Sequence, residues 1–261
     1  MAYTITPMVV AVGPQREKSR FTYMHGTGQK VDIPYVSWLL QGDGPTILVD
    51  TGCSAEQYRT RIRGDEPLHL AGETFADVED RAPLEEQLAA RGLECDDIDI
   101  LVQTHLDWDH CMNTTKFSKS KILLQDAEWR KIPVHPLFAS TYAPKDHYEA
   151  IGGLNLQLLD GDYKVTEGVE LILTPGHSPG GQSVVVDTDA GRYVIAGMCT
   201  LRDNFYPPEE VLAHGSYKVI PTGMHTDPIL CYDSMLRILE VGGENVLPFH
   251  DDAILSVDRI G

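Results

Sequence analysis

One stretch, Thr104-His105-Leu106-Asp107-Trp108-Asp109-His110, limits what this chain can fold into more than any other. It follows an apolar run, Ile100–Val102, that reads as a β-strand, so four potential ligand side chains crowd into six residues at a strand's end. Alternate side chains of an extended chain point the same way. His105, Asp107 and Asp109 can therefore converge, and a turn brings His110 round to them. Carboxylates packed this closely repel one another unless a cation neutralises them. The stretch reads as a metal-binding segment; the competing reading is a polar strand end capped by hydrogen bonds.

Two more histidines stand in the same kind of place. His177 lies in Thr174-Pro175-Gly176-His177-Ser178-Pro179-Gly180, directly after the apolar run Leu171–Leu173, and His250 lies in Leu247-Pro248-Phe249-His250-Asp251-Asp252, after Val246. Loops at strand ends are where sheets carry function. With the first segment they supply His105, Asp107, Asp109, His110, His177 and His250. That is enough for two metal ions, or for one with catalytic helpers. Asp50, in the turn Asp50-Thr51-Gly52 after Ile47–Val49, reads either as a carboxylate that orients a ligand histidine or as plain turn chemistry. The other histidines (His25, His69, His135, His147, His214, His225) lack companion ligands and read as surface or core polar residues, with His214 and His225 flanking a loop able to approach the site.

Short runs rich in Val, Ile and Leu predict strands at Met8–Val12, Val36–Leu40, Ile47–Val49, Ile100–Val102, Ile122–Leu124, Leu171–Leu173, Ser183–Val186, Tyr193–Ala196 and Val246–Pro248. Helical spacing marks Pro83–Arg91, Ala127–Lys131 and Pro228–Glu240, the last with an apolar stripe of Ile229, Leu230, Met235, Leu236 and Leu239. Groups of strands with helices between them predict a layered α/β fold. The 261 residues fit one domain, 1–261, with the polar, weakly periodic stretches 54–82 and 133–152 as binding lids. A net charge of -18, from 21 basic and 39 acidic residues, argues against nucleic acid or an anionic membrane as partner. No apolar run reaches the ~18 residues that a membrane helix needs. The N-terminus lacks a secretory pattern, and the five cysteines have no paired spacing, so a cytoplasmic chain is expected. The composition leaves room for a homo-oligomer.

In order and spacing these motifs resemble the metallo-β-lactamase superfamily from about Pro34 to Asp252, and more narrowly its N-acyl homoserine lactonase branch. Ile33-Pro34-Tyr35-Val36-Ser37-Trp38-Leu39-Leu40 and Gly161-Asp162-Tyr163-Lys164-Val165 through Gly180, Gln182 and Ser183 are similar to segments of that branch. The resemblance implies a four-layer αβ/βα sandwich with metal ions in a cleft at one sheet edge, and hydrolysis, commonly with two zinc ions. Two departures stand out. Asp107 replaces the second histidine of the family's His-x-His-x-Asp-His pattern. Gly197-Met198-Cys199 stands where the family carries a bridging aspartate, with Asp203 the nearest substitute. The resemblance then groups His105, Asp107 and His177 around one ion and Asp109, His110 and His250 around the other. The first set is harder than three imidazoles and accommodates Mn or Fe as well as Zn. One carboxylate gained and one lost leave the total ligand charge unchanged.

The expected activity is metal-dependent opening of a lactone ring, on an acyl homoserine lactone or a catabolic lactone, with Asp109 moving the proton. The branch has a tyrosine beyond its bridging aspartate that polarises the carbonyl; Leu201 or Thr200 stands there, and Tyr206 is the residue expected to replace it. Trp38, Trp108 and Phe205 read as pocket-lining or core aromatics. Other readings are amide, thioester or phosphoester hydrolysis, iron redox chemistry on a flavodiiron-like site, which carries a carboxylate at the Asp107 position, and a non-catalytic metal sensor.

Overall fold

Two β-sheets face one another in the computed structural model, which describes residues 2–62, 78–131, 143–215 and 217–261. The first is built from β1 (Tyr3–Glu17), β2 (Lys30–Gly42), β3 (Ile47–Val49), β4 (Glu79–Asp80), β5 (Ile100–Val102), β6 (Lys121–Gln125) and β7 (Leu156–Leu159), in the order β4-β1-β2-β3-β5-β6-β7. The second is built from β8 (Tyr163–Thr166), β9 (Val169–Leu173), β10 (Gln182–Thr188), β11 (Gly191–Ala196) and β12 (Val246–Pro248), in the order β12-β11-β10-β9-β8.

The strands read as unbroken apolar runs because both of their faces are covered. Ile47 and Val49 of β3 point inward to meet Val184 and Val186 of β10 and Leu171 of β9 between the sheets, while Leu48 points outward. That outer face is covered by Leu84 and Leu88 of α2 (Leu84–Ala89) and by Tyr58 of α1 (Ala55–Ile62). The outer face of the second sheet, with Ile172, Val185 and Val194, is covered by α8 (Pro228–Gly242). The result is the expected four-layer αβ/βα sandwich.

α8 starts where Asp227 accepts hydrogen bonds from the amides of Ile229 and Leu230, with Pro228 in the first turn, and ends before Gly243 at φ 56°. Its buried face differs from the predicted stripe. Cys231, Ser234, Met235, Ile238 and Gly242 face the sheet, whereas Ile229 and Leu230 are exposed. Apolar residues lie on two neighbouring stripes of this helix, and the sheet covers the one that starts at Cys231.

Strands β7 and β8, where Gln and Lys interrupt the apolar run, form without a predicted counterpart, and β1 and β2 are longer than the predicted Met8–Val12 and Val36–Leu40. The described part of the expected lid 133–152 holds α5 (Lys145–Gly152). In the other expected lid, 54–82, α1 and β4 flank residues 63–77; these, like 132–142, lie outside the described residues.

Strand direction places the site. β2 runs antiparallel to β1 and β3, β3 is parallel to β5, and β12 is parallel to β11. The C-terminal ends of β1, β3, β5, β9, β11 and β12 therefore collect at one edge of the sandwich, with Asp50, the 104–110 segment, His177 and His250 just beyond them. Replacing Leu171, fully buried between the sheets, with alanine should cost about 2–5 kcal/mol in denaturant unfolding. The same change at half-exposed Leu230 should stay within about 0.5 kcal/mol.

Candidate metal centre

The six predicted ligands meet as two buried triads. His105, Asp107 and His177 form one; Asp109, His110 and His250 form the other, and in each the ligand atoms lie within 4.8 Å of one another. In the first, the Nε2 atoms of His105 and His177 are 3.1 Å apart, with Asp107 Oδ2 at 3.7 and 3.4 Å from them. In the second, Asp109 Oδ2 is 3.7 Å from Nε2 of both His110 and His250. The triads adjoin: the rings of His105 and His110 are 4.0 Å apart at their centroids.

Every imidazole is turned the same way by a bond at its other nitrogen. His177 Nδ1 donates to the Met224 carbonyl at 2.6 Å and His250 Nδ1 to the Pro34 carbonyl at 3.0 Å. His110 Nδ1 donates to Asp50 Oδ2 at 2.7 Å. Thr104 Oγ1 donates to the same oxygen at 2.6 Å and accepts from His105 Nδ1 at 2.9 Å. With Nδ1 occupied, all four Nε2 atoms face the cluster, the orientation a metal ion requires. Asp50 thus orients two histidines of the cluster, His110 directly and His105 through Thr104. It sits fully buried in the left-handed region, φ 56°, and also accepts from Gln103 Nε2 and the Thr104 amide. A non-glycine residue pays in backbone strain for that conformation, and four hydrogen bonds to its carboxylate hold it there.

The donor set fits a divalent cation. His250 Nε2 is buried without any hydrogen-bond partner, a costly state unless something binds there. Two imidazole Nε2 atoms at 3.1 Å coexist only with a proton or a cation between them. Burial, then its histidine neighbours, push the His250 ring down to about 3 and hold His105 well below the usual range, so both rings are neutral. Burial also opposes charge on His110, but Asp109 and Asp50 outweigh it and raise the ring to about 9. Burial and Asp107 hold the Asp109 carboxyl above its ordinary value, against the pull of His110.

Other expected members lie elsewhere. Asp203 pairs with Lys18 at 2.5 Å, and Met198 is buried beneath α8. The carboxylate grouped with a histidine of each triad is that of Asp50, which meets His110 directly and His105 through Thr104 on their Nδ1 sides. Tyr206, just after α6 (Arg202–Phe205), is not brought to the cluster. Its hydroxyl donates to the Gly243 carbonyl at 2.8 Å and accepts from the Val246 amide, at the start of β12 and so at the far end of that strand from His250. Phe205 and Trp38 are core residues, and Trp108 packs on Tyr35 and Tyr58. His225 donates to the Thr222 carbonyl and belongs to neither triad.

One residue escaped the sequence reading. Glu128, fully buried on α4 (Asp126–Lys131), accepts from the Leu106 amide at 3.1 Å through one oxygen and from the Gly180 amide at 2.9 Å through the other. It ties the two loops that carry the first triad. Gly180 permits this: a Cβ there would lie 2.2 Å from the Glu128 backbone nitrogen. Burial pushes the Glu128 carboxyl up to about 7, over the opposing effect of the two amides. The folded state then keeps a proton that the unfolded chain releases near 4.5, so stability falls as pH rises from about 4.5 to 7. Unfolding of metal-free protein across that window should show Glu128→Gln lacking a part of the slope worth on the order of 3 kcal/mol.

Comparison with known proteins agrees with this geometry. The sequence profile of the metallo-beta-lactamase superfamily matches residues 32–250. The chain is 30% identical over 175 residues to an N-acyl homoserine lactonase of Bacillus cereus, a match that covers 64% of each chain and so spans less than two thirds of that enzyme. It is 30% identical over 190 residues to the N-acyl homoserine lactonase AiiB of Agrobacterium fabrum, covering 68% of this chain and 67% of that one. A crystal structure of a Bacillus thuringiensis AiiA variant with N-decanoyl-L-homoserine at its active site superposes with a TM-score of 0.76 at 23% identity, over 98% of this chain and 96% of that chain. The chain belongs to the metallo-beta-lactamase superfamily.

Proposed function

We propose that this protein is a metal-dependent hydrolase that opens a lactone ring. The observation that carries the proposal is the pair of adjoining buried triads at the sheet edge, each combining two imidazoles with one carboxylate. The two N-acyl homoserine lactonases and the AiiA fold support the choice of a cyclic ester over other acyl compounds. We assign His105, Asp107 and His177 to one ion and Asp109, His110 and His250 to the other. Zinc suits two imidazoles and a carboxylate, and manganese or iron suits the same set.

Divalent ions held there supply Lewis acidity toward the carbonyl and activate water near neutral pH. The chain's own part is positional and protonic. Asp50, Thr104, Met224 and Pro34 fix the four rings, so little reorganisation is needed during reaction. Asp109, raised by burial, takes the proton of the attacking water on its carboxylate and returns it to the ring oxygen as the ester bond breaks.

Chelation should abolish lactone hydrolysis, and a single added metal should restore it. Asp107→Ala should lower bound metal by about one ion per chain in elemental analysis and cut turnover at least ~100-fold; unchanged metal content and activity would remove Asp107 from the ligand set. Thr104→Val, which breaks the link to His105, should weaken metal binding roughly 10–100-fold. Because a proton on His110 competes with the ion up to about pH 9, apparent metal affinity should rise between pH 6 and 9, and calorimetry in buffers of different ionisation enthalpy should detect released protons.

A further inference from the structure

Arg16, next to the C-terminal end of β1, is 6% exposed, and its Nη2 is buried with no hydrogen-bond partner. None of the ion pairs among the described residues includes it, although acidic residues outnumber basic ones 39 to 21. Buried guanidinium groups are ordinarily paired, because an unpaired buried charge is strongly destabilising. Neighbouring Lys18 is occupied by Asp203, and Asp109 Oδ2 faces the imidazoles of its own triad.

The surroundings of Arg16 lead to the metal centre. β1 ends at the same sheet edge as the ligand loops. A Cβ on Gly13 would lie 2.9 Å from Arg16 Nε and 2.7 Å from the Tyr35 hydroxyl oxygen, so glycine lets the guanidinium and the phenol share one spot. Burial keeps Tyr35 a neutral phenol, well above its ordinary range, despite the Arg16 charge. The Tyr35 ring is 6.2 Å from the His250 ring and 5.3 Å from Trp108, centroid to centroid. One aromatic ring therefore separates a guanidinium whose Nη2 lacks a partner from the second triad.

We infer that Arg16, with the Tyr35 hydroxyl beside it, binds a carboxylate of the substrate, so that the preferred substrates are lactones carrying a second, ionised carboxyl group. The planar fork of the guanidinium matches a carboxylate with two parallel N–H donors, and a substrate anion supplies the charge that the protein withholds. This substrate class rests on the lactonase reading; the binding of an anion does not.

The test compares metal-loaded wild type with Arg16→Met on a five-membered lactone bearing a free carboxylate and on the methyl ester of that carboxylate. Wild type should favour the free acid at least tenfold in kcat/KM. Arg16→Met should lose that preference mainly through KM, keep its activity on the ester, keep its metal content, and melt no lower than wild type, since it removes a buried unpaired charge. Calorimetric titration with succinate should show saturable binding to wild type that Arg16→Met lacks. Equal turnover of acid and ester by wild type, a proportional loss on both in the variant, or a sharply lowered melting temperature would overturn the assignment. Succinate binding that depends on Arg16, without turnover of either lactone, would uphold the anion site and count against the lactonase reading instead.

Discussion

A single buried carboxylate sets the geometry of the two triads. Asp50 accepts from His110 and from Thr104, and Thr104 in turn accepts from His105, so one side chain fixes a ring in each triad. The turn after β3 must then hold a non-glycine residue at positive φ. The Asp50 amide bonded to the Val102 carbonyl, and the Thr51 amide to the His110 carbonyl, anchor that turn between the two strands it serves. Strand pairing, turn geometry and imidazole orientation are one hydrogen-bonded unit here.

Electrostatics at the centre work by opposition. Burial drives His105 and His250 toward neutrality, while the carboxylates around His110 favour its cation. A site with both tendencies binds a divalent ion by exchanging protons for it. The sandwich supplies the enclosure: Phe249 lies 4.5 Å from the His110 ring and belongs to the core between the sheets, so the floor of the site is apolar.

The six residues of the two triads were legible in the sequence because each stands in the 104–110 segment or just past a strand. His105 and Asp107 alternate along extended chain. Asp109 and His110 follow on the short helix Trp108–Cys111 rather than on the extended run expected for Asp109, and His177 and His250 follow apolar runs that form strands. The central strands were legible for the same reason, being buried on both faces. Groups acting through the backbone left no trace: nothing in the residue types at Pro34 or Met224 announces a carbonyl aimed at a histidine. Glu128 looked like an ordinary helix residue, and only the approach of Gly180 across the sandwich shows its role. Tyr206 misled because nearness in sequence to the end of β11 is not nearness in space. Phe205 packs under α8, and the chain turns outward with it, leaving Tyr206 against Arg202.

Asp107 differs from its partners in how it is held. Its carboxylate meets His105 and His177 but is not bonded to Asp50, whereas His105 and His110 are tied to that anchor. Altering the anchor disturbs both triads together. Exchanging the side chain at 107 therefore alters the first triad while leaving the Asp50 anchor of His105 and His110 in place.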